Sequence, residues 1–262
     1  MIEKIRKKLE RMRDHFIGYP CNADLSHLED LSPLFQFPIN NIGNCFDGSG
    51  YLVNTLEVER EVVEFFFDYF HLENGFGYIT NGGTEGNLFG LYLARENATK
   101  TPIVFYSDSS HYSINKSIKI LNLKEVRIPS DPTGEIDYDI LEEQIANFAE
   151  THSIIISANI GTTMTGAVDN IQKILSILNQ VEEFYIHCDA AFSGIFLPLL
   201  GKGKEFDFSN QISSLSVSGH KFLGSPIPCG VALCRKELVE PIGLKVEYIG
   251  TTDFSISGSR NG

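Results

Sequence analysis

The sequence predicts an α/β fold, a mostly parallel sheet with helices on both faces and an irregular N-terminal arm. Two observations carry the prediction. From about residue 100 onward, short apolar runs alternate with stretches of helical spacing. The residues with chemistry to offer, His111, Thr162, Thr163, Asp189 and Lys221, each follow the end of one of those runs. Ligands bind at that edge of an open parallel sheet.

The 262 residues, 42% of them apolar, suffice for a sizeable core. We divide them into a helix and arm over residues 1–50 and one large domain over 51–262. A net charge of −13 argues against nucleic acid or an anionic membrane as partner. Cys21, Cys45, Cys188, Cys229 and Cys234 form no CxxC pair and read as the reduced thiols of a cytoplasmic protein. The charged first sixteen residues are no secretory signal, and no run is long enough to span a membrane.

Taken in order, Ile2, Ile5, Leu9, Met12 and Phe16 share one helix face. That stripe is expected to pack on the body of the chain or on a second subunit rather than on a membrane. Residues 18–50, rich in Pro, Asn and Gly, read as the arm with short turns. Helical spacing returns over 57–71. Next, Gly82-Gly83-Thr84 permits a tight turn into a helix through Leu88 and Leu91, with Thr84 as the expected cap. Such an entry favours phosphate through free N–H groups and the helix dipole. No Gly-Lys-Ser/Thr follows, which excludes a nucleotide-binding module of the Walker type.

Strand-like runs lie at Ile103–Tyr106, Val126–Ile128, Ile154–Ser157, Phe184–Cys188, Leu215–Val217 and Val231–Cys234. Helices are expected around Ile114–Leu121, Tyr138–Phe148 and Ile171–Leu178. After Val217 comes Ser218-Gly219-His220-Lys221, and then a stretch that two prolines and two glycines keep from being helical. Lys221 therefore sits on a turn at a strand end. Alone, it reads as a solvated lysine. Among apolar surfaces, desolvation would lower its pKa and make the amine nucleophilic.

A phosphate site at Gly83-Thr84, an imine-forming lysine and a part-buried Asp189 that stays ionised only beside a cation together meet the requirements of pyridoxal 5'-phosphate. Singly, Asp189 could cap a helix, His111 could be a satisfied core histidine, and the threonines could be turn residues. Their shared place at the sheet edge favours the joint reading.

The segments Phe37–Asn41, Tyr78–Asn87, Ser110–Ser113, Asn159–Thr163 with Gly166–Asp169, His187–Ala191, Ser216–Lys221, Ser225–Gly230 and Ser257–Gly262 follow a familiar order. Through them the sequence resembles the group II pyridoxal-phosphate-dependent amino-acid decarboxylases, in particular bacterial histidine decarboxylases and the related plant serine decarboxylases. The resemblance implies a fold-type-I, transferase-like large domain that decarboxylates an L-amino acid, histidine to histamine and carbon dioxide. Serine to ethanolamine is the alternative, and a cofactor-binding remnant with little turnover is another.

By position, Lys221 would carry the cofactor as a covalent aldimine and Asp189 would pair with the pyridinium nitrogen. His111 would stack on the ring near the substrate carboxylate, with Ala191 on the opposite face. Gly83, Thr84, Ser218 and His220 would hold the phosphate, and Thr162 or Thr163 would reach the ring hydroxyl. A homodimer or higher homo-oligomer is expected, since members of the family pair. They also continue for roughly a hundred residues, a usual domain size, beyond the Ser-Arg-Asn-Gly segment, so a small C-terminal domain is expected to be absent here and turnover to be slow. A transaminase is disfavoured, because Arg260 is the only arginine placed to grip a second carboxylate.

Overall fold

The computed structural model describes residues 1–17, 21–22 and 24–261. Arm residues 18–20 and 23, and the last residue of the Ser257–Gly262 segment, lie outside the described residues. Seven strands form one sheet: β1 (Gly75–Thr80), β2 (Thr101–Ser107), β3 (Lys124–Ile128), β4 (His152–Asn159), β5 (Phe184–Asp189), β6 (Ser214–Ser218) and β7 (Gly230–Arg235). Their order is β1-β7-β6-β5-β4-β2-β3. β7 runs antiparallel to both β1 and β6, and the other pairs are parallel. A small hairpin, β8 (Leu244–Val246) with β9 (Thr251–Asp253), follows.

The six expected runs fall within β2 to β7. β1 was not among the expected runs. It forms because it pairs with β7 from Gly75↔Arg235 to Thr80↔Gly230, a tertiary contact that outweighs weak local propensity.

The helices are α1 (Ile2–Arg13), α2 (Leu56–Tyr69), α3 (Gly83–Glu96), α4 (Tyr112–Leu121), α5 (Tyr138–Ala146), α6 (Ile171–Ile177) and the short α7 (Phe196–Leu199). Two cores form because successive strand side chains point to opposite faces. Ile154, Ile156, Ile186 and Leu215 pack with α2, α5 and α6. Val104, Ile155 and Tyr185 pack with α3 and α4. Among the described residues, no helix is long and apolar enough to cross a membrane.

Two expectations need correction. The α1 stripe does not pack on the body of the chain: α1 buries none of its residues, and Ile5, Leu9 and Met12 are at least half exposed. Nor does Thr84 cap α3. Gly82 is the N-cap, at φ +131°, a conformation that residues with side chains rarely adopt. Its carbonyl accepts the Glu85 and Gly86 N–H groups, so the chain is already helical at Thr84. The arm contains a 3₁₀ run, Ser26–Gln36. Its Asn22 N–H donates to the Lys221 carbonyl at 2.9 Å.

What positions the site is how closely α3 lies on the sheet. A Cβ at Gly86 would stand 2.6 Å from Ser216 Cβ, and one at Gly90 would stand 2.2 Å from His187 Nδ1. In an open helix, Gly→Ala gains roughly 0.5–1 kcal/mol. Here the added methyl must displace the histidine or lift the helix, and overpacking costs about 1–3 kcal/mol. Gly90→Ala should therefore lower the melting temperature by roughly 2–6 °C. A thermal melt at or above the parent value would show that α3 can move off the sheet freely.

Candidate active site

The N-terminus of α3 and the carboxyl ends of β4, β5 and β6 surround a cavity of about 180 Å³. Every residue that the sequence assigned to the cofactor lines it. Gly83 and Thr84 come from α3, His111 from the turn before α4, and Thr162 and Thr163 from beyond β4. Asp189 and Ala191 come from the end of β5, and Ser218, His220 and Lys221 from the end of β6. Asn87, Tyr112, Asn159, Gly161 and Phe192 complete the lining, and the sequence reading had given them no role. Strand alternation places Tyr185, His187 and Asp189 of β5 and Ser214, Ser216 and Ser218 of β6 on the α3 face. A polar residue at every second position of a buried strand was the signal that could have revealed this network.

Asp189 is 7% exposed. Its Oδ2 accepts from Asn87 Nδ2 at 2.7 Å and its Oδ1 from the Ala191 N–H at 3.2 Å. Among the described residues it has no ion-pair partner. Asn87 is in turn fully engaged. Nδ2 also donates to Ser113 Oγ at 2.9 Å, while Oδ1 accepts from Ser216 Oγ at 2.6 Å and from His187 Nε2 at 3.0 Å.

His111 is the N-cap of α4: its Nδ1 accepts the Ser113 N–H at 3.3 Å and lies 2.8 Å from Ser113 Oγ. Burial lowers its pKa from 6.5, the charges of Lys221 and Lys116 act the same way, and Asp189 opposes them. The ring is thus neutral near pH 7.

Lys221 is half-buried on the turn after β6, and among the described residues it has no ion pair. His220 Nδ1–H donates to the Cys229 carbonyl at 3.0 Å. A Cβ at Gly83 would lie 2.8 Å from Ser218 Oγ, so only glycine lets the helix entry come so near that strand end. Thr162 is buried, with its hydroxyl against Thr165 Oγ1 at 2.6 Å and the Ala167 N–H at 3.2 Å, whereas Thr163 is exposed. Asp169, beneath the cavity wall, accepts from Asn159 N–H and Nδ2 and from the Ile136 N–H. Burial nonetheless pushes its carboxyl up to about 6.

Arg260 serves a different purpose from the one considered in the sequence. Its guanidinium is buried against Glu59 at 3.2 Å and the Gly43 carbonyl at 2.8 Å, so it grips no ligand in the cavity.

Residues 55–260 match the pyridoxal-dependent decarboxylase conserved domain. The chain belongs to this family. Relatives in the family include the histidine decarboxylases of Morganella morganii, 45% identical, and of Acinetobacter baumannii strain AYE, 47% identical, each over 252 residues and 94% of this chain. The chain spans 66% and 65% of their respective lengths. The solved L-methionine decarboxylase of Streptomyces, in complex with 3-methylthiopropylamine, is 26% identical with a TM-score of 0.90, over all of this chain and 72% of that one. A sphingosine-1-phosphate lyase of Burkholderia pseudomallei, 20% identical with a TM-score of 0.80 over 64% of that chain, shares the fold.

The residues of this decarboxylase-family chain fit a pyridoxal cofactor. The donors at the α3 entry suit a phosphate. A buried carboxylate held by two neutral donors suits a cationic ring nitrogen. Lys221 belongs to the same cavity lining.

His187, which the sequence reading passed over, is fully buried with its pKa pushed down to about 4 by desolvation, Asp189 acting the other way. An unfolded imidazole titrates near 6.5. Between those values the unfolded chain binds a proton that the native state does not. The stability from this site is therefore complete above 6.5 and falls as pH drops toward 4. Parent and His187→Gln proteins, unfolded in urea at pH 7 and pH 5, should differ by roughly 2 kcal/mol less at pH 5. A gap independent of pH would show that His187 titrates normally in the fold.

Proposed function

We propose that this chain carries the cofactor-binding and reacting groups of a decarboxylase that converts L-histidine to histamine and carbon dioxide. The observation that carries this reading is the convergence of Lys221, His111, the buried Asp189 and the N-terminus of α3 on one cavity. Identities of 45% and 47% to histidine decarboxylases support L-histidine as the substrate.

Pyridoxal phosphate, when bound, supplies an electron sink for the pair left behind as carbon dioxide departs. Lys221 Nζ would attach it covalently, and the same amine, when free, is positioned to return a proton to the substrate Cα. Asp189 would keep a proton on the ring nitrogen, since a buried carboxylate favours a cation beside it. The first N–H groups of α3, with Thr84, Ser218 and His220, would hold the phosphate. Thr162 or Thr163 would reach the ring hydroxyl.

His111 and Ala191 would flank the ring and so set which substrate bond stands perpendicular to it. A neutral His111 also matters. It offers the substrate carboxylate no ion pair, so the ground state gains no stabilisation that is lost as the carboxylate becomes carbon dioxide.

The same reading divides the chain near residue 50 and places the protein in the cytoplasm as a homodimer, with the exposed α1 face against a second copy. Light scattering should report a dimer, and Leu9→Glu should shift it to monomer. A parent protein that is monomeric at micromolar concentration would overturn the homodimer.

Incubation with pyridoxal phosphate and L-histidine should release histamine and carbon dioxide, while L-serine should give neither. Borohydride trapping and peptide mapping should place the cofactor on Lys221. Asp189→Asn should retain cofactor but lose about 10²-fold or more in turnover, the usual effect of removing one electrostatic stabiliser. A label on another lysine, or turnover within a few-fold of the parent, would sink the corresponding assignment.

A further inference from the structure

Asn87 lies 1% exposed at the centre of the hydrogen bonds described above, and its four bonds use every donor and acceptor its carboxamide has. We propose that Asn87 is the positioning residue of the site: its single carboxamide orients the Asp189 carboxylate and, by dictating which way each hydroxyl points, holds His187 and His111 each in one tautomer.

An ionised carboxylate only accepts. The Asn87 group 2.7 Å from Asp189 Oδ2 is therefore the amide nitrogen, and the amide oxygen must face the other way, toward His187 and Ser216. An oxygen acceptor 3.0 Å from His187 Nε2 requires a proton on that nitrogen. His187 Nδ1 then accepts from Ser214 Oγ, 2.8 Å away.

On the other branch, the second amide hydrogen points at Ser113 Oγ. Ser113 Oγ accepts there and turns its own hydrogen to His111 Nδ1 at 2.8 Å. The Ser113 backbone N–H aims at the same nitrogen. With two donors on Nδ1, His111 carries its proton on Nε2. One amide thus sets the acid that faces the cofactor nitrogen and the proton position on the ring proposed to flank the cofactor.

Asn87 reaches this position because α3 has glycine at positions 83, 86 and 90 on the same helix face. Asn87→Asp keeps the shape and reverses the logic. It would put an acceptor where Asp189 and Ser113 now meet a donor. Two carboxyl groups at hydrogen-bond distance share a proton, and the Ser113 hydroxyl would turn away from His111. Ser113→Ala cuts only the branch to His111.

The consequence for cofactor affinity rests on the function proposed above, whereas the histidine tautomers do not. The test is therefore read first on ¹⁵N-histidine-labelled chain without cofactor, by long-range ¹H–¹⁵N spectra at pH 7. His187→Gln and His111→Gln supply the assignments. Both histidines should appear as Nε2–H forms in the parent. His111 should become a mixture of tautomers in Ser113→Ala and in Asn87→Asp.

The dissociation constant for pyridoxal phosphate should rise at least about tenfold in Asn87→Asp, equivalent to a one-unit change in the proton affinity at Asp189. It should stay within threefold in Ser113→Ala. An Nδ1–H or doubly protonated His111 in the parent would overturn the proposal without any variant. So would Asn87→Asp with parental tautomers and parental affinity. Parental tautomers as expected, with no pyridoxal phosphate bound at all, would instead remove the proposed function and leave the histidine assignment standing.

Discussion

At Gly86 and Gly90 the backbone of α3 rests directly on the Ser216 and His187 side chains of β6 and β5, with no side chain of its own in between, and the rest of the site depends on that approach. It brings one amide side chain, Asn87, to within hydrogen-bond distance of both strands and of the α4 entry. It also sets the first residue of the helix, Gly83, beside Ser218 and Ala191. A helix held one side chain further out would lose the phosphate entry and the polar network together. Close packing, rather than any particular polar contact, is thus the first condition for the cavity.

The energetics explain why the site calls for a cation. Keeping Asp189 ionised while buried costs on the order of several kcal/mol. Hydrogen bonds to a charged group return about 1.5–3 kcal/mol each. With only Asn87 Nδ2 and the Ala191 N–H supplied by the described residues, the carboxylate is left near balance or short of it. A ring nitrogen that carries a proton would close the deficit, in line with the role proposed for Asp189. The same field reaches the histidines in opposition to their burial, and burial prevails at both, which keeps them neutral.

A second buried charge acts at a distance from the cavity. Glu59 of α2 accepts from the Ile79 N–H of β1, from Asn41 Nδ2 of the arm and from Arg260. Removing one member of such a buried pair leaves an unpaired charge, which typically costs about 3–5 kcal/mol. The arm, β1 and the segment around Arg260 are therefore held as one unit. The arm in turn contacts the turn that bears Lys221. Burial and the charge of Glu59 push the nearby Cys45 thiol up to about 12, which keeps it unreactive.

The sequence by itself determined most of the parallel sheet, because its buried strands are continuous apolar runs and its helices carry their own 3.6-residue spacing. It also determined which residues meet: His111, Thr162, Asp189 and Lys221 each follow a strand, and parallel strands end on one edge. Tertiary structure alone decided β1, whose glycines have no strand propensity until β7 pairs with them. It alone decided the helix entry, where Gly82 rather than Thr84 takes the cap. Asn87 was silent in the sequence for the same reason, and the polar alternation of β5 marked His187 without naming its partner. Their roles lie in hydrogen bonds to residues about a hundred positions away, and local periodicity carries no record of a partner that only folding brings near.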